Sequence, residues 1–418
     1  METLDAEKLI ITSEDVEKRI AEGIEKNRKG NFRVSGLTAG QRIRVKLKKH
    51  LFRFGANLFM LDEFPDDAAK NGIYREKFAE LFNTATLPLY WYSSEPEEGK
   101  TRYEKNSPAI YRRPPTDRCV EYCLEKGIEP REHGLCYTHA YPAWLKGKSF
   151  QEFLPYLERR MKEISDRYAR FVPTMEVLNE MLYTYSDFDF YFTDEYAETC
   201  YKLADKYFPN NKLTINEWIY IFKSGVKDGE RYFDLVKRLL EKGCRIDEIG
   251  IQYHVFEKEE EYFDATREYY DLARVFAVLD KFATFGKKIE ITEITIPAYC
   301  GGDVQADMAE KLYSLWFSHP AVEKIIYWNL VDGYAAHTAP GNMEGGENRY
   351  RGGLLNFDMS EKPIYKRLKY LINEKWNTDE ILTADENGNA DFRGFYGDYE
   401  ILTEDGAKIC EKKFYDKP

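Results

Sequence analysis

An α/β chain closed into a (β/α)8 (TIM) barrel, with a small β appendage formed by the N- and C-terminal segments, is the fold this sequence predicts. Two observations carry it. Eight short, apolar, β-rich runs recur along the chain, and helical periodicity follows each of them. Strand–helix alternation implies parallel strands, and eight such units can close on themselves. A third observation weighs against the main rival: a doubly wound open sheet would carry a Gly-rich phosphate turn after its first strand, and none is present.

Residues 1–50 read as a helix and then two strands, Asn31–Leu37 and Gln41–Lys49. The basic run Arg42–Lys49 alternates charge with apolar residues, which is one wet face of a strand, not a polyanion site. The barrel occupies residues 51–376. Its strands are expected at Phe52–Asn57, Leu87–Trp91, Gly134–Thr138, Met175–Asn179, Leu213–Asn216, Ile249–His254, Ile289–Ile296 and Lys324–Val331. Helical spacing is clearest in Phe150–Ile164, Tyr232–Gly243 and Tyr269–Leu279. The tail, 377–418, carries turns at Asp385–Asn389 and Glu404–Gly406 and strands at Tyr399–Thr403 and Ala407–Tyr415. Strands from both ends are expected to pair into one small β layer beside the barrel.

Composition narrows the function. With 418 residues, 43% of them hydrophobic, the chain can bury a large core. A net charge of -12 disfavours nucleic acid and anionic membranes as partners. The seven cysteines are odd in number and lack zinc spacing, which points to a reducing compartment. No basic n-region with an apolar h-region opens the chain, so a cytoplasmic address is expected, one that favours imported oligomers over insoluble polymer. No apolar stretch is long enough to span a bilayer. The six histidines form no His-x-His or His-Glu-x-x-His pattern, so neither a metal nor another cofactor is expected.

In a barrel of this kind, catalytic groups sit at the C-terminal strand ends, where the βα loops open. Polar residues interrupt the apolar runs there. The fourth run ends Asn179-Glu180, the fifth Asn216-Glu217, the sixth Gln252-Tyr253-His254, the seventh reaches Glu293 and the eighth Trp328. Carboxylates on the fourth and seventh strands would face each other across the mouth. At about 5–5.5 Å they suit a retaining glycosidase, one attacking the anomeric carbon and the other protonating the leaving oxygen. Their repulsion would hold one protonated near neutral pH. Asn179 would bond the sugar 2-hydroxyl, His254 would orient Glu293, and Trp328 would carry the sugar ring. Singly, Glu180 reads as a helix-start glutamate, His254 as a satisfied core histidine and Trp328 as core. Their order together with Glu293, on strands four, six, seven and eight, is what points to catalysis. Glu290 and Glu217 are the nearby alternatives, and strand alternation turns Glu290 out of the barrel or into another layer.

Over roughly residues 50–375 the chain resembles glycoside hydrolase family 10, whose members are mainly endo-β-1,4-xylanases. The matching stretches are Phe52–Asn57, Tyr90–Gly99, His133–Leu135 with Pro142–Trp144, Glu176–Glu180, Ile249–His254, Ile291–Ile294 and Trp328–Asp332. The resemblance implies Glu180 as acid/base, Glu293 as nucleophile, and Asn179, Gln252 and His254 as sugar contacts. Tyr90, Trp91, Tyr137, His139 and Asn216 join them as substrate-binding candidates. Several family contacts are replaced. The Trp-His pair after the third strand becomes Tyr137-Thr138, with His139 one residue on. The Glu-Asn and Lys of the second strand become Thr86, Leu87 and Tyr90, while a Gln becomes Ala140 and a second Trp becomes Ala336. The Gly-rich loop Asp332–Gly353, with His337, Asn342, Glu344 and Arg351, could supply substitutes or serve only as a solvent flap. The implied activity is a retaining β-glycoside hydrolase on xylan-derived or related β-linked plant oligosaccharides. The alternatives are a non-catalytic carbohydrate-binding barrel and a glycosidase for small plant glycosides.

Overall fold

The computed structural model describes residues 9–65, 67–182, 185–223 and 228–415. The first eight residues, on which the reading of the chain's start rests, lie outside the described residues. A helix, Glu14–Arg28, leads into β1 (Lys29–Ser35) and β2 (Arg42–His50). The barrel follows: β3 (Arg53–Asn57), β4 (Thr84–Thr86), β5 (Glu129–Arg131), β6 (Thr174–Asn179), β7 (Lys212–Glu217), β8 (Glu248–His254), β9 (Lys288–Thr295) and β10 (Val322–Tyr327). These eight are parallel and close in sequence order, with β10 pairing back onto β3. The tail supplies β11 (Asp379–Thr383), β12 (Asn389–Phe395), β13 (Gly397–Thr403) and β14 (Lys408–Phe414). No helix among the described residues is long and apolar enough to cross a membrane.

The expected second and third strands are displaced. Leu87–Tyr90 lies beyond β4, and Trp91 opens the short helix Trp91–Ser94. Gly134–Thr138 runs as a loop beside β6, bonded through Leu135 N to Glu176 O at 2.8 Å and Cys136 N to Val177 O at 3.1 Å. The true strands, Thr-Ala-Thr and Glu-Pro-Arg, are short and polar in composition, yet neighbours on both faces bury them almost completely. Their burial comes from barrel closure, which no local apolar run announces.

The termini pair with one another, but in two sheets instead of one. β1 pairs antiparallel with β12, and β2 sits between β11 and β13 in a four-stranded sheet that β14 completes. β11 and β12 carried no strand signal. The 385–389 turn joins them, with Asp385 Oδ1 accepting from the backbone of Asn387 and Asn389. The helix Phe150–Tyr168 shows how the outer ring is built. A capping box of Ser149 and Glu152 starts it, and Phe153, Leu157, Met161 and Ile164 are buried along one face.

Two β-bulges set the inside of the barrel. Between β6 and β7 the register skips Val177, so Glu176 pairs with Thr214 and Leu178 with Ile215. Between β8 and β9 it skips Thr292, so Ile251 pairs with Ile291 and Gln252 with Glu293. An extra residue lets side chains three apart face the same way. Glu176 and Asn179 both turn inward, as do Glu290 and Glu293. Glu290 is thus not turned out of the barrel; it lies inside, in a lower layer. There Arg131 Nε donates to Glu290 Oε2 at 2.8 Å and Arg131 Nη2 to Glu176 Oε2 at 2.5 Å. Lys324 Nζ donates to Thr174 Oγ1 at 2.8 Å, to Glu248 Oε2 at 2.7 Å, and to Glu290 Oε1.

Candidate active site

At the C-terminal mouth, Glu180 and Glu293 line one cleft of about 480 Å³. Glu180 directly follows β6 with φ +55°, and its N–H donates to Asn216 O at 3.0 Å. That left-handed turn is costly for a non-glycine residue and re-aims the side chain into the mouth. Gln252 Nε2 donates to Glu180 Oε1 at 3.0 Å, and the Tyr137 hydroxyl donates to Oε2 at 2.9 Å. Burial, and then the neighbouring Glu293 charge, push the Glu180 carboxyl up to about 6. Burial and Glu180 also push the Tyr137 phenol far up, so it stays a donor.

Glu293 is held differently. Asn216 Nδ2 donates to its Oε1 at 3.0 Å and also to Asn179 Oδ1 at 3.0 Å, while Thr292 Oγ1 donates to Asn216 Oδ1 at 2.7 Å. Gly250 makes room for this layer, since a Cβ there would stand 2.7 Å from Asn216 Oδ1. His254 Nε2 lies 3.1 Å from Glu293 Oε2, and its Nδ1 lies 2.9 Å from Thr295 Oγ1. His254 also stacks on Phe256 at 4.5 Å.

A second histidine, His133, stands 3.9 Å from Glu293 Oε1. Its Nδ1 meets Glu176 Oε1 at 2.7 Å and its Nε2 meets the Tyr90 hydroxyl at 3.0 Å. Burial alone would lower the His133 pKa, but the Glu176 and Glu293 carboxylates outweigh it and the net shift is upward.

The predicted site residues fall into two groups. Asn179, Glu180, His254, Glu293, Tyr90, Tyr137, His139 and Trp328 line the cleft, with His139 at its exposed rim. Asn179 Oδ1 is taken by Asn216 and Gln252, and its amide nitrogen donates to no group among the described residues, so it remains available to a sugar hydroxyl. Trp328 packs edge-on against Phe59 at 5.0 Å and His254 at 5.4 Å, forming one wall. Gln252 and Asn216 are fully buried and do not line the cleft; they bond Glu180 and Glu293 from beneath. Trp91 is also fully buried, donates to Glu95 Oε2 at 2.9 Å, and packs on Tyr141 and Trp144 away from the cleft. Its apolar surroundings belong to the helix layer, not to a sugar.

Of the alternatives, Glu217 is turned to the backbone, accepting from Leu182 N at 2.8 Å and Trp218 N at 3.3 Å, and burial pushes it up to about 8. In the 332–353 loop, His337 reaches the cleft, joined by Glu347. Asn342 bonds Thr338 and Arg351 pairs with Glu344, both within the loop. Sequence reasoning did not single out Phe59, Tyr92, Arg112, Arg113, Trp218 or Phe256, all of which line the cleft. His133 stood in a matching stretch, but no role was attached to it. Among the described residues, no group of three or more His, Cys, Asp or Glu is placed to hold a metal ion.

The profile of glycosyl hydrolase family 10 matches residues 67–369. The chain is 28% identical over 348 residues to endo-1,4-beta-xylanase B of Thermotoga neapolitana, spanning 79% of this chain and 90% of that protein. To endo-1,4-beta-xylanase 1 of Arabidopsis thaliana it is 24% identical over 396 residues, spanning 91% of this chain and 36% of the plant protein. Xylanase 10B from Thermotoga petrophila RKU-1, solved in complex with xylobiose, shares the fold with a TM-score of 0.60. That likeness runs at 23% identity over 78% of this chain and 94% of the other.

Proposed function

Because the chain belongs to glycosyl hydrolase family 10, a family of retaining β-glycosidases acting on xylan, we propose that it cleaves xylan-derived β-linked oligosaccharides with Glu293 as nucleophile and Glu180 as acid/base. The observation that carries this assignment is the unequal support of the two carboxyl groups. Glu180 is pushed up to about 6, which keeps a proton available to a leaving oxygen. Glu293 instead accepts one hydrogen bond from the Asn216 amide and has a histidine beside each of its oxygens, which fix its position as the attacking group.

In the first step Glu293 attacks the anomeric carbon while the Glu180 proton passes to the glycosidic oxygen, which departs as an alcohol. In the second, Glu180, now a carboxylate, takes a proton from water. That water displaces Glu293 from the sugar, so two inversions give net retention. The free amide of Asn179 is aimed to bond the 2-hydroxyl as charge develops on the ring. That a relative of the same fold binds xylobiose supports a xylose-based glycone.

The test is a hydrolysis screen over aryl β-glycosides and defined xylo- and gluco-oligosaccharides, with product anomers followed by proton NMR. The β-anomer should form first from the xylo-series. First appearance of the α-anomer would overturn double displacement, and no turnover of any member by folded protein would overturn the activity.

A further inference from the structure

One wall of the cleft is apolar: Phe59, Tyr90, Trp328 and Ala336, with Tyr92 beside them. Two arginines break it. Arg112 is committed within the protein, since its Nη1 donates to Tyr334 O and its Nη2 to Asn329 Oδ1 at 2.9 Å. Arg113 is different. It is only 5% exposed, and its guanidinium lies 4.3 Å from the Tyr90 ring centroid and 4.8 Å from that of Phe59. Its Nε donates to the Tyr92 hydroxyl at 2.9 Å and its Nη1 to Arg112 O at 2.8 Å. Among the described residues, its Nη2 meets no acceptor and no carboxylate stands within ion-pair distance of it. Arg28, Arg102 and Arg160 are also buried without a carboxylate, but backbone carbonyls, and for Arg160 the Ser94 hydroxyl, take up most of their donors, and none of the three lines the cleft. An arginine desolvated without an anion is costly to keep, and stacking on aromatic rings fixes its plane for bidentate recognition.

We infer that Arg113 is the carboxylate-binding element of a sugar subsite, so that the substrates this cleft prefers carry a uronic acid. The subsite lies on the nucleophile's side of the cleft, because Tyr90, over which Arg113 stacks, bonds His133 beside Glu293. This inference rests on the glycosidase reading above and narrows its substrate class.

The test compares uronic-acid-bearing xylo-oligosaccharides with the same oligosaccharides after reduction of each carboxyl to an alcohol, which keeps shape and removes charge. The acidic form should have a kcat/KM about tenfold or more above the reduced form. That ratio should fall close to one in Arg113→Gln and to an intermediate value in Arg113→Lys, which restores charge without the planar fork. A ratio of one in the unaltered enzyme, or one unchanged in Arg113→Gln, overturns the subsite. Calorimetric binding of the same pair to Glu180→Ala reads the subsite without turnover. It also covers the case in which Arg113→Gln fails to fold. Tighter binding of the acidic form with no hydrolysis of any substrate would keep the subsite and overturn the cleavage reading. Hydrolysis of both forms at equal rate, with equal binding, would do the reverse.

Discussion

The two ends of the barrel interior hold buried carboxylates in opposite ways. At the N-terminal end, Glu176, Glu248 and Glu290 meet full cations, Arg131 and Lys324, and Lys212 adds a further pair to Glu248. Around them, a cavity of about 550 Å³ beneath the appendage is bordered by more such pairs, Arg53 with Glu129 and Lys212 with Glu323. At the mouth, Glu180 and Glu293 are held by an amide, a phenol, a second amide and an imidazole. A carboxylate clamped by an arginine or lysine has its lone pairs committed to a full cation and is poorly nucleophilic. One held by an amide and a phenol, as Glu180 is, can exchange a proton near pH 6. The difference separates charge that builds the core from the charge that the proposed mechanism uses. His133 joins the two ends, bonded to Glu176 below and standing beside Glu293 above.

The largest expected effect breaks the mouth alone. Glu293→Ala should lower kcat by about 10⁴-fold or more while the melting temperature stays near that of the unaltered protein. Azide or formate should restore part of the rate with inverted product; full activity in this variant would remove Glu293 from the mechanism. Next, Glu180→Ala should slow substrates with poor leaving groups by about 10²–10⁴-fold and activated aryl glycosides far less. Equal loss on both series would count against an acid role.

The floor should answer in a different currency. Lys324→Met strips a cation from Glu248 and Glu290, and should cost roughly 3–5 kcal/mol of stability in a denaturant titration. Its kcat per folded molecule should change little, and a fall comparable to that of Glu180→Ala would show that the two ends are not separable. The mildest test is pH. In the proposed mechanism Glu180 is protonated for the first step, and its folded pKa is raised to about 6, so kcat/KM should fall about tenfold per unit as pH rises above that value. Glu180→Gln should lose this limb; its persistence would assign the titration to another group.

Much of the site could be read from residue types at strand ends. Glu180 after Asn179, Gln252 and His254 two apart, and Glu293 within an otherwise apolar run were legible because a buried polar residue in such a strand is expensive without a task. Arg112 and Arg113 were not. They sit in the long connection after the Trp91–Ser94 helix, where no periodicity marks a side chain as cleft-facing. Trp91 was drawn toward the site by its neighbour Tyr90, although the short helix turns the two rings apart.

Sequence periodicity was enough for the eight-unit barrel and for which of its strands end in acids, since a two-residue repeat and a 3.6-residue repeat are written locally. It could not say which way those acids point. By strict alternation, Glu290 and Glu293 belong on opposite faces, as do Glu176 and Asn179. Skipped residues at Thr292 and Val177 put all four inside, in two layers with different partners. A bulge is a property of pairing between strands far apart in the chain, so only closure of the ring decides which carboxylates are neutralised and which are left to react.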